Sequence, residues 1–151
     1  MPLRHDQVGR TPDRLKNRPT WLLNRAHARS VAILHAGFEA GGNGLRGYHY
    51  RLLAALEQFG PASQAELGRD TGIDRSDVTA ALLRLEERGL VERRVDPDHK
   101  RRNIVTLTTA GQDALGALDA VLDDIQRQVL APLSAAEQRQ LLGLLARVAD
   151  G

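Results

Sequence analysis

The sequence predicts a mainly α-helical protein with one small two-stranded β-hairpin. Apolar residues recur every three or four positions over most of the chain, and the period changes to two only across residues 90–107. The composition indicates a folded domain, because 42% of the 151 residues are hydrophobic and the mean hydropathy is -0.36. A chain of this length buries enough surface to fold without a metal or a disulfide.

Several classes of function are excluded or disfavoured by composition. The chain has no cysteine, which excludes a thiolate zinc site, a cysteine nucleophile and a thiol redox sensor. No phosphate-binding loop, metal triad or nucleophile–base pair is visible, so we expect neither an enzyme nor a cofactor. His35 and Glu39 are four residues apart but have no third partner, so an exposed pair is favoured over a metal site.

Nothing in the sequence indicates a membrane protein. No apolar run approaches the roughly 20 residues of a membrane span. The N-terminal residues MPLRHDQVGR lack the apolar stretch of a secretory signal. We therefore expect a cytoplasmic protein.

The N-terminal third predicts a flexible arm and two helices. Residues 1–14 contain two prolines and a glycine without periodicity, which indicates a flexible arm. A helix is predicted from about Asn17, with Pro19 in its first turn, and a glycine-rich stretch near residues 41–44 ends it. The residues that recur at helical spacing in it are Leu22, Leu23, Ala26, Ser30, Ile33, Leu34 and Phe38. A second helix is predicted over Arg46–Phe59, ending at Gly60-Pro61.

Two short helices follow, separated by a three-residue break. Ser63 and Glu66 have the spacing of a capping box, which opens a helix over Gln64–Asp70. Thr71-Gly72-Ile73 is the break. Asp74 or Ser76 caps a longer helix over Arg75–Arg88, and Gly89 stands where a glycine commonly ends a helix. This order is typical of a helix-turn-helix.

The hairpin comes directly after the helix-turn-helix. Leu90–Val95 alternates as a strand does, Asp96–Lys100 has turn chemistry, and Asn103–Leu107 predicts a returning strand. A hairpin alone is marginally stable in water, so it must pack against the helices. The sequence therefore predicts a winged helix-turn-helix with a two-stranded wing.

Two helices complete the chain. Thr108 or Thr109 caps a helix over Ala110–Leu130, and Ser134 with Glu137 caps a final helix of about 15 residues. The apolar positions are Leu115, Leu118, Leu122, Ile125 and Val129 in the first of these and Leu141, Leu142, Leu144, Leu145 and Val148 in the second. Both helices offer surface for a second copy, although the first seam can instead pack within one chain.

The segments LEERGLVER at residues 85–93, DPDHKRRN at 96–103 and LTTAG at 107–111 resemble the MarR family of bacterial winged-helix transcriptional regulators. The resemblance runs from about residue 15 to the end. It implies a homodimer with dimerisation helices at residues 15–40 and 110–151, and a DNA-binding winged helix-turn-helix at 45–109. The sequence departs from the family pattern at Ala80, where an Arg or Lys is common, and at His99-Lys100-Arg101, where Asp-Arg-Arg is usual.

Basic residues concentrate where such a protein would meet double-stranded DNA. Residues 93–102 hold five Lys or Arg against two Asp. The second helix of the helix-turn-helix, Arg75–Arg88, would be the recognition helix and would enter the major groove. The wing would enter the minor groove. The predicted DNA-binding residues are Arg75, Ser76, Asp77, Thr79, Ala80, Arg84, Arg94, Lys100, Arg101 and Arg102. Alternatively, Ser76 and Asp77 only cap the helix and the basic tip is only solvated, while Asp96 or Asp98 shapes the turn.

The first helix carries a candidate site for a small effector. Arg18, Trp21, Leu22 and Arg25 fall on one stripe, where an arginine could bind a carboxylate and the indole could stack on an aromatic ring. This segment also resembles family members that respond to phenolic carboxylates, which adds His27, and Tyr48 could line the same cavity. Alternatively, Trp21 lies in a dimer core and the arginines form salt bridges.

These features predict a dimeric DNA-binding regulator, a repressor of a pseudo-palindromic operator that an aromatic acid releases. Two alternatives remain open at this point. One is a winged helix that binds protein, and the other is a regulator that binds DNA without an effector.

Overall fold

The computed structural model describes residues 9–151. Residues 1–8, which belong to the predicted flexible arm, lie outside the described residues. The end of that arm forms a hydrogen-bonded turn, because the amide of Leu15 donates to the carbonyl of Pro12 over 2.9 Å. The amide of Arg18 then donates to the carbonyl of Leu15 over 2.9 Å, directly before the first helix.

The described residues form six helices and three short strands, which confirms the mainly α-helical class. The helices are α1 (Pro19–Gly41), α2 (Gly47–Phe59), α3 (Gln64–Thr71), α4 (Arg75–Glu87), α5 (Thr109–Leu130) and α6 (Ala135–Asp150). The strands are β1 (Ala62–Ser63), β2 (Val91–Asp96) and β3 (His99–Leu107). No helix within residues 9–151 combines the length and apolarity needed to cross a membrane.

The sheet differs from the predicted hairpin in two ways. It has a third strand, since β1 pairs antiparallel with β3 at Ala62 and Ser63. The sequence does not predict this strand, because two residues are too few to show a period. The hairpin also extends further toward its tip, because Asp96 pairs with His99 after an irregularity at Val95. The predicted turn over Asp96–Lys100 is therefore too long.

Helix ends follow the local chemistry of the sequence. Both predicted capping boxes are confirmed, at Ser63 with Glu66 and at Ser134 with Glu137. The hydroxyl of Thr108 accepts from the amide of Gly111 over 3.0 Å, which fixes the start of α5. Gly89 follows α4 with a φ of 71°, a conformation that glycine adopts at no steric cost.

The core lies between α2, α4 and the sheet. Leu52, Leu53 and Val105 are completely buried there. Val78, Leu82 and Leu85 form the inward face of α4 and are buried as well. That packing turns the opposite face of α4 toward solvent.

The predicted seam of α5 packs largely against α1 of the same chain. Leu115, Leu118 and Ile125 are buried, and the remaining seam residues pack partly against the core. The two helices approach closely where Gly37 faces Ile125. Arg29 of α1 also donates to the carbonyls of Val129 and Gln128 over 2.8 and 3.1 Å, groups that the end of α5 leaves unpaired.

Two surfaces remain open in the described chain. No residue of α6 is buried within residues 9–151, and Leu142, Leu144, Leu145 and Val148 are all exposed. The N-terminal half of α1 is open too, with Leu22 and Leu23 close to half exposed. Apolar surface of this extent on two helices indicates that another surface covers them.

Candidate nucleic-acid interface and effector site

The outward face of α4 is set by its buried face. Because Val78, Leu82 and Leu85 point into the core, the opposite side of the helix carries Ser76, Ala80, Leu83 and Glu87. All four of these outward residues are exposed. This stripe is the part of the helix that can enter a groove.

The predicted polar contact residues lie in the first turns of α4. Arg75 and Ser76 are exposed, and Asp77 is half-buried. The N-cap position belongs to Asp74, whose side chain makes no capping bond within the described residues. Ser76 therefore does not cap the helix, and its hydroxyl is open to solvent.

The hydroxyl of Thr79 is used inside the protein. It donates to the carbonyl of Arg75 over 3.0 Å, and it accepts from the side-chain Nε2 of Gln64 over 3.4 Å. Its methyl group is the part that remains for a ligand. The neighbouring Ala80 is exposed and offers only its Cβ.

A cleft of about 850 Å³ lies between α3, the first turns of α4 and β3. Four predicted DNA-binding residues line it, together with three polar residues that the sequence reasoning missed. The predicted residues are Arg75, Thr79, Arg101 and Arg102, and the missed residues are Gln64, Arg69 and Asn103. Arg69 could have been found from its place in the last turn of a short helix beside the recognition helix.

The wing is attached to α3 through Arg102. Its Nη2 atom lies 2.9 Å from Oε1 of Glu66, and its Nε atom lies 3.6 Å from Oδ2 of Asp96. The backbone amide of Ser63, followed by the charge of Arg102, holds the pKa of Glu66 below its usual value. Arg102 therefore orients the wing, a role the sequence reasoning did not assign to it.

A second ion pair joins the wing to the recognition helix. Arg93 of β2 donates to both carboxylate oxygens of Glu86, over 2.8 and 3.1 Å. The hydrogen bond from Arg93 holds the pKa of Glu86 below its usual value. Because both partners sit on regular elements, this bidentate pair fixes the angle between wing and helix.

The remaining wing cations face solvent. Lys100 and Arg101 are exposed near the tip, and Nη2 of Arg94 lies 3.5 Å from Oε2 of Glu92. Asp96 shapes the turn as expected, since its Oδ1 atom accepts from the amide of Asp98 over 2.9 Å. The tip thus presents positive charge on a turn that is held from within.

The other flank of α4 contacts the loop between α1 and α2. Arg88 donates to the carbonyl of Asn43 over 2.7 Å, and a Cβ added to Gly44 would lie 3.2 Å from Nη2 of Arg84. Behind them His49 is buried, with its Nδ1 atom accepting from the amide of Arg46 over 2.8 Å. Burial, then the charges of Arg84, Arg88 and Arg46, lower the pKa of His49.

Most predicted effector residues share the N-terminal half of α1. Arg18 is the N-cap residue, and its guanidinium donates to the carbonyl of Arg14 over 3.2 Å. Arg25 and His27 are exposed on the same helix. The indole N–H of Trp21 is buried and has no acceptor within the described chain. A buried donor without an acceptor marks a place where another group is needed.

One chain does not bring Tyr48 to these residues. Tyr48 lies at the start of α2, beside Gly47, where an added Cβ would contact Leu34 of α1. Leu34 is 13 residues beyond Trp21, about 20 Å along a helix. Tyr48 instead lies under the guanidinium of Arg51, 5.9 Å from the ring centre. Within one chain, Tyr48 therefore lies apart from Trp21 and Arg18.

Other polar groups belong to internal contacts. Tyr50 donates to Oδ1 of Asp119 over 2.6 Å, and this hydrogen bond raises the pKa of Tyr50 to about 12. Within residues 9–151, no three His, Asp or Glu side chains lie close enough together to hold a metal ion.

Known proteins share this fold and much of this sequence. A family model described as MarR family matches residues 43–102. The HTH-type transcriptional repressor NicR of Pseudomonas putida is 33% identical over 129 residues, which cover 85% of this chain and 80% of NicR. A probable transcriptional regulator from Pseudomonas aeruginosa is 41% identical, with a TM-score of 0.75, over 89% of this chain and 98% of that one.

A further solved structure concerns control of DNA binding. It is the structure of BpsR from Bordetella bronchiseptica, described as giving the mechanism for regulation of DNA binding by 6-hydroxynicotinic acid. BpsR is 27% identical to this chain, with a TM-score of 0.78, over 93% of this chain and 99% of that one. The named relatives are transcriptional regulators and not enzymes, which confirms the expectation that this chain is not an enzyme. The chain belongs to the MarR family of transcriptional regulators.

Proposed function

We propose that the chain is a homodimeric repressor that binds a pseudo-palindromic DNA operator and leaves it when an aromatic carboxylic acid binds. The observation that carries the proposal is the shared surface formed by the cleft, the outward stripe of α4 and the wing. Arg69, Arg75 and Arg101 border that surface. Positive charge around a protruding helix complements the phosphates on either side of a major groove.

Each part of this surface has a role on DNA. The outward stripe of α4 meets base edges, and Arg75 and Ser76 at its N-terminus bind a phosphate or a guanine. Lys100 and Arg101 insert their charges into the minor groove, whose negative potential favours them. In this proposal residues 45–109 are the DNA-binding unit.

Dimerisation uses the two open surfaces. Residues 15–40 and 110–151 are the dimerisation unit, in which α6 of one chain and the N-terminal half of α1 of the other cover each other's apolar faces. Val148 is 63% exposed in the single chain and Leu142 is 58% exposed. Two copies place two recognition helices about 34–36 Å apart, the spacing of successive major grooves.

The effector site lies at the N-terminal half of α1. Arg18 and Arg25 offer guanidinium groups for a carboxylate, and the orphaned N–H of Trp21 offers a donor beside an aromatic face. The likeness to BpsR supports this class of effector, because 6-hydroxynicotinic acid is an aromatic carboxylic acid. The partner chain brings Tyr48 to this site.

Release follows from unequal affinity for two geometries. An effector can lower DNA affinity only if it binds the DNA-free arrangement more tightly than the DNA-bound one. An effector bound beside α1 holds the two recognition helices of the dimer at a spacing that does not match the operator. A coupling of about 1–3 kcal/mol lowers DNA affinity roughly 5- to 150-fold.

Operator binding with and without effector tests the proposal. Duplexes selected from a random library are titrated with the chain, with and without 6-hydroxynicotinic acid and simple benzoic acids. Wild type should lose affinity in the presence of one of these acids, and Arg18→Ala should bind the duplex but respond weakly. Lys16→Ala is the matched control, because Lys16 is a nearby cation paired with Asp13 at 2.9 Å and off the stripe.

Two results would count against this function. An equal response of wild type and Arg18→Ala removes Arg18 from the effector site. Duplex binding that does not weaken with salt would favour a winged helix that binds protein, because phosphate contacts make DNA affinity strongly dependent on salt.

A further inference from the structure

We propose that the recognition helix reads thymine methyl groups in the major groove, through the apolar surface of Thr79, Ala80 and Leu83. The inference rests on the proposed DNA-binding function and names the base chemistry that the same surface recognises. It arises from an imbalance on α4, where the outward centre of the helix is apolar and the polar residues Arg84 and Glu86 lie against groups on its flanks.

The outward centre of α4 is unusually apolar for a solvent-facing stripe. Leu83 is 47% exposed, and Ala80, one turn earlier, is also exposed. Ser76 precedes them on the same stripe, at the N-terminal end. An exposed leucine next to an exposed alanine forms a small apolar patch at the part of the helix that would lie deepest in a groove.

Thr79 extends this patch. Because its hydroxyl donates to the carbonyl of Arg75 and accepts from Gln64, its polar group is already satisfied. The methyl group is what Thr79 can offer to a base. Three apolar groups thus lie within five consecutive residues of the helix.

Beyond the first turn of α4, the longer polar side chains other than Glu87, which ends the outward stripe, are directed to its flanks. Arg84 and Arg88 lie against the loop that contains Asn43 and Gly44. Glu86 is held by both nitrogens of Arg93. Beyond its first turn, therefore, the middle of the helix presents mainly methyl and methylene groups to a DNA groove.

Thymine is the base that matches this surface. Among the four bases it alone carries a methyl group in the major groove, where alanine, threonine and other apolar side chains contact it. Ala80 and Leu83 are separated by about 4.5 Å along the helix axis, close to the roughly 3.4 Å between neighbouring base pairs. The geometry points to two adjacent thymines in each half-site.

Deoxyuridine substitution tests the methyl contact directly. The full chain selects duplexes from a random library, and the selected site is remade with deoxyuridine at the half-site thymines. Deoxyuridine keeps the hydrogen-bonding groups of thymine and lacks only the C5 methyl. Each buried methyl is worth about fourfold in affinity, so four methyls predict a loss on the order of 100-fold. A duplex with deoxyuridine only outside the half-sites is the control and should keep its affinity.

Two variants assign the contact to this helix face. Leu83→Ala should lose more affinity on the thymine duplex than on the deoxyuridine duplex, because the lost partner is the methyl itself. Arg75→Ala is the matched variant of a polar position on the same helix. It should weaken binding to both duplexes by the same factor. Thermal unfolding of both variants verifies that the fold is retained.

Three outcomes would overturn different parts of the account. Equal affinity for thymine and deoxyuridine duplexes overturns methyl readout and leaves DNA binding in place. A thymine preference that Leu83→Ala does not reduce overturns the assignment to this face. Failure to enrich or bind any duplex in dilute salt overturns the proposed function itself.

Discussion

His49 is a buried histidine whose neighbours are arginines. Arg46 lies on its own side of the loop, and Arg84 and Arg88 face it from the recognition helix. Because burial and these positive charges lower its pKa, the neutral ring is the stable form, with Nδ1 accepting from the backbone of Arg46. Only in the neutral form can Nδ1 accept this hydrogen bond at the start of α2.

The lowered pKa of His49 predicts a loss of stability in mild acid. The unfolded chain takes up a proton near pH 6.5, whereas the folded chain takes it up only at lower pH. As the pH falls below about 6.5, protons therefore favour the unfolded state and the free energy of unfolding decreases. Urea unfolding between about pH 5 and 7.5 measures this slope.

The change His49→Asn should flatten that slope, because the side chain no longer titrates. His35→Asn on the exposed surface of α1 is the matched control. A slope that both changes reduce equally, or that neither changes, would exclude His49 as its origin.

At the scale of elements, close approach between backbones limits what α5 can contain. Gly111 lies in its first turn, and a Cβ there would overlap the carbonyl oxygen of Leu90. Gly116, in the same helix, has open space around the position of an added Cβ. The two glycines therefore predict opposite effects of the same substitution.

We expect Gly111→Ala to destabilise the fold by about 2 kcal/mol or more, because a backbone atom cannot move aside as a flexible side chain can. Gly116→Ala should stabilise it by about 0.5–1 kcal/mol, since alanine favours the helix and nothing obstructs it. Chemical denaturation of the two variants checks the pair. Similar effects of both substitutions would contradict this packing of α5 against the wing.

The wing separates cations that can reach DNA from cations that hold the fold. Lys100 and Arg101 are exposed, whereas Arg93 is engaged by Glu86. Because each dimer carries the change twice, Arg101→Gln should therefore reduce the dependence of log affinity on log salt by about two. Arg93→Gln should lower affinity through the wing angle and leave that dependence unchanged. Titrations at four salt concentrations give both values, and an equal change in the two variants would contradict the assignment.

For the whole molecule, the open apolar face of α6 predicts an assembly that one substitution can break. Leu145 lies on that face with Leu144 and Val148. Leu145→Glu should shift the chain from dimer to monomer in light scattering, because a charge would be buried against apolar surface. Ala136→Glu adds the same charge to α6 at a position whose neighbours one turn on are the polar residues Arg139 and Gln140, and it should remain dimeric. A monomeric wild type would contradict the proposal.

The sequence could predict elements and caps but not which surfaces pair. Capping boxes at Ser63 and Ser134 are local signals, and they are found where the spacing indicates. Periodicity predicts the apolar seam of α5 but not the surface that covers it. Whether Ile125 contacts α1 or a second copy depends on tertiary packing. The strand at Ala62–Ser63 is too short to have a period.

The candidate interface shows the same division. The sequence identified Ser76 and Ala80 of the outward stripe and the basic tip of the wing, but not Leu83. The ion pairs of Arg93 and Arg102 depend on how the wing packs against α4 and α3, and periodicity alone does not determine that packing. Tyr48 shows the converse, because it lies at the start of α2 and one chain does not bring it to Arg18 and Trp21.

The most direct test of a dimer that binds duplex DNA through two recognition helices and two wings is a titration against salt with the stoichiometry determined. We predict two chains for each selected duplex and a loss of affinity of about 10³-fold or more between 50 and 200 mM salt, as expected when six or more phosphates are neutralised. One chain for each duplex, or an affinity that salt leaves unchanged, would contradict the account.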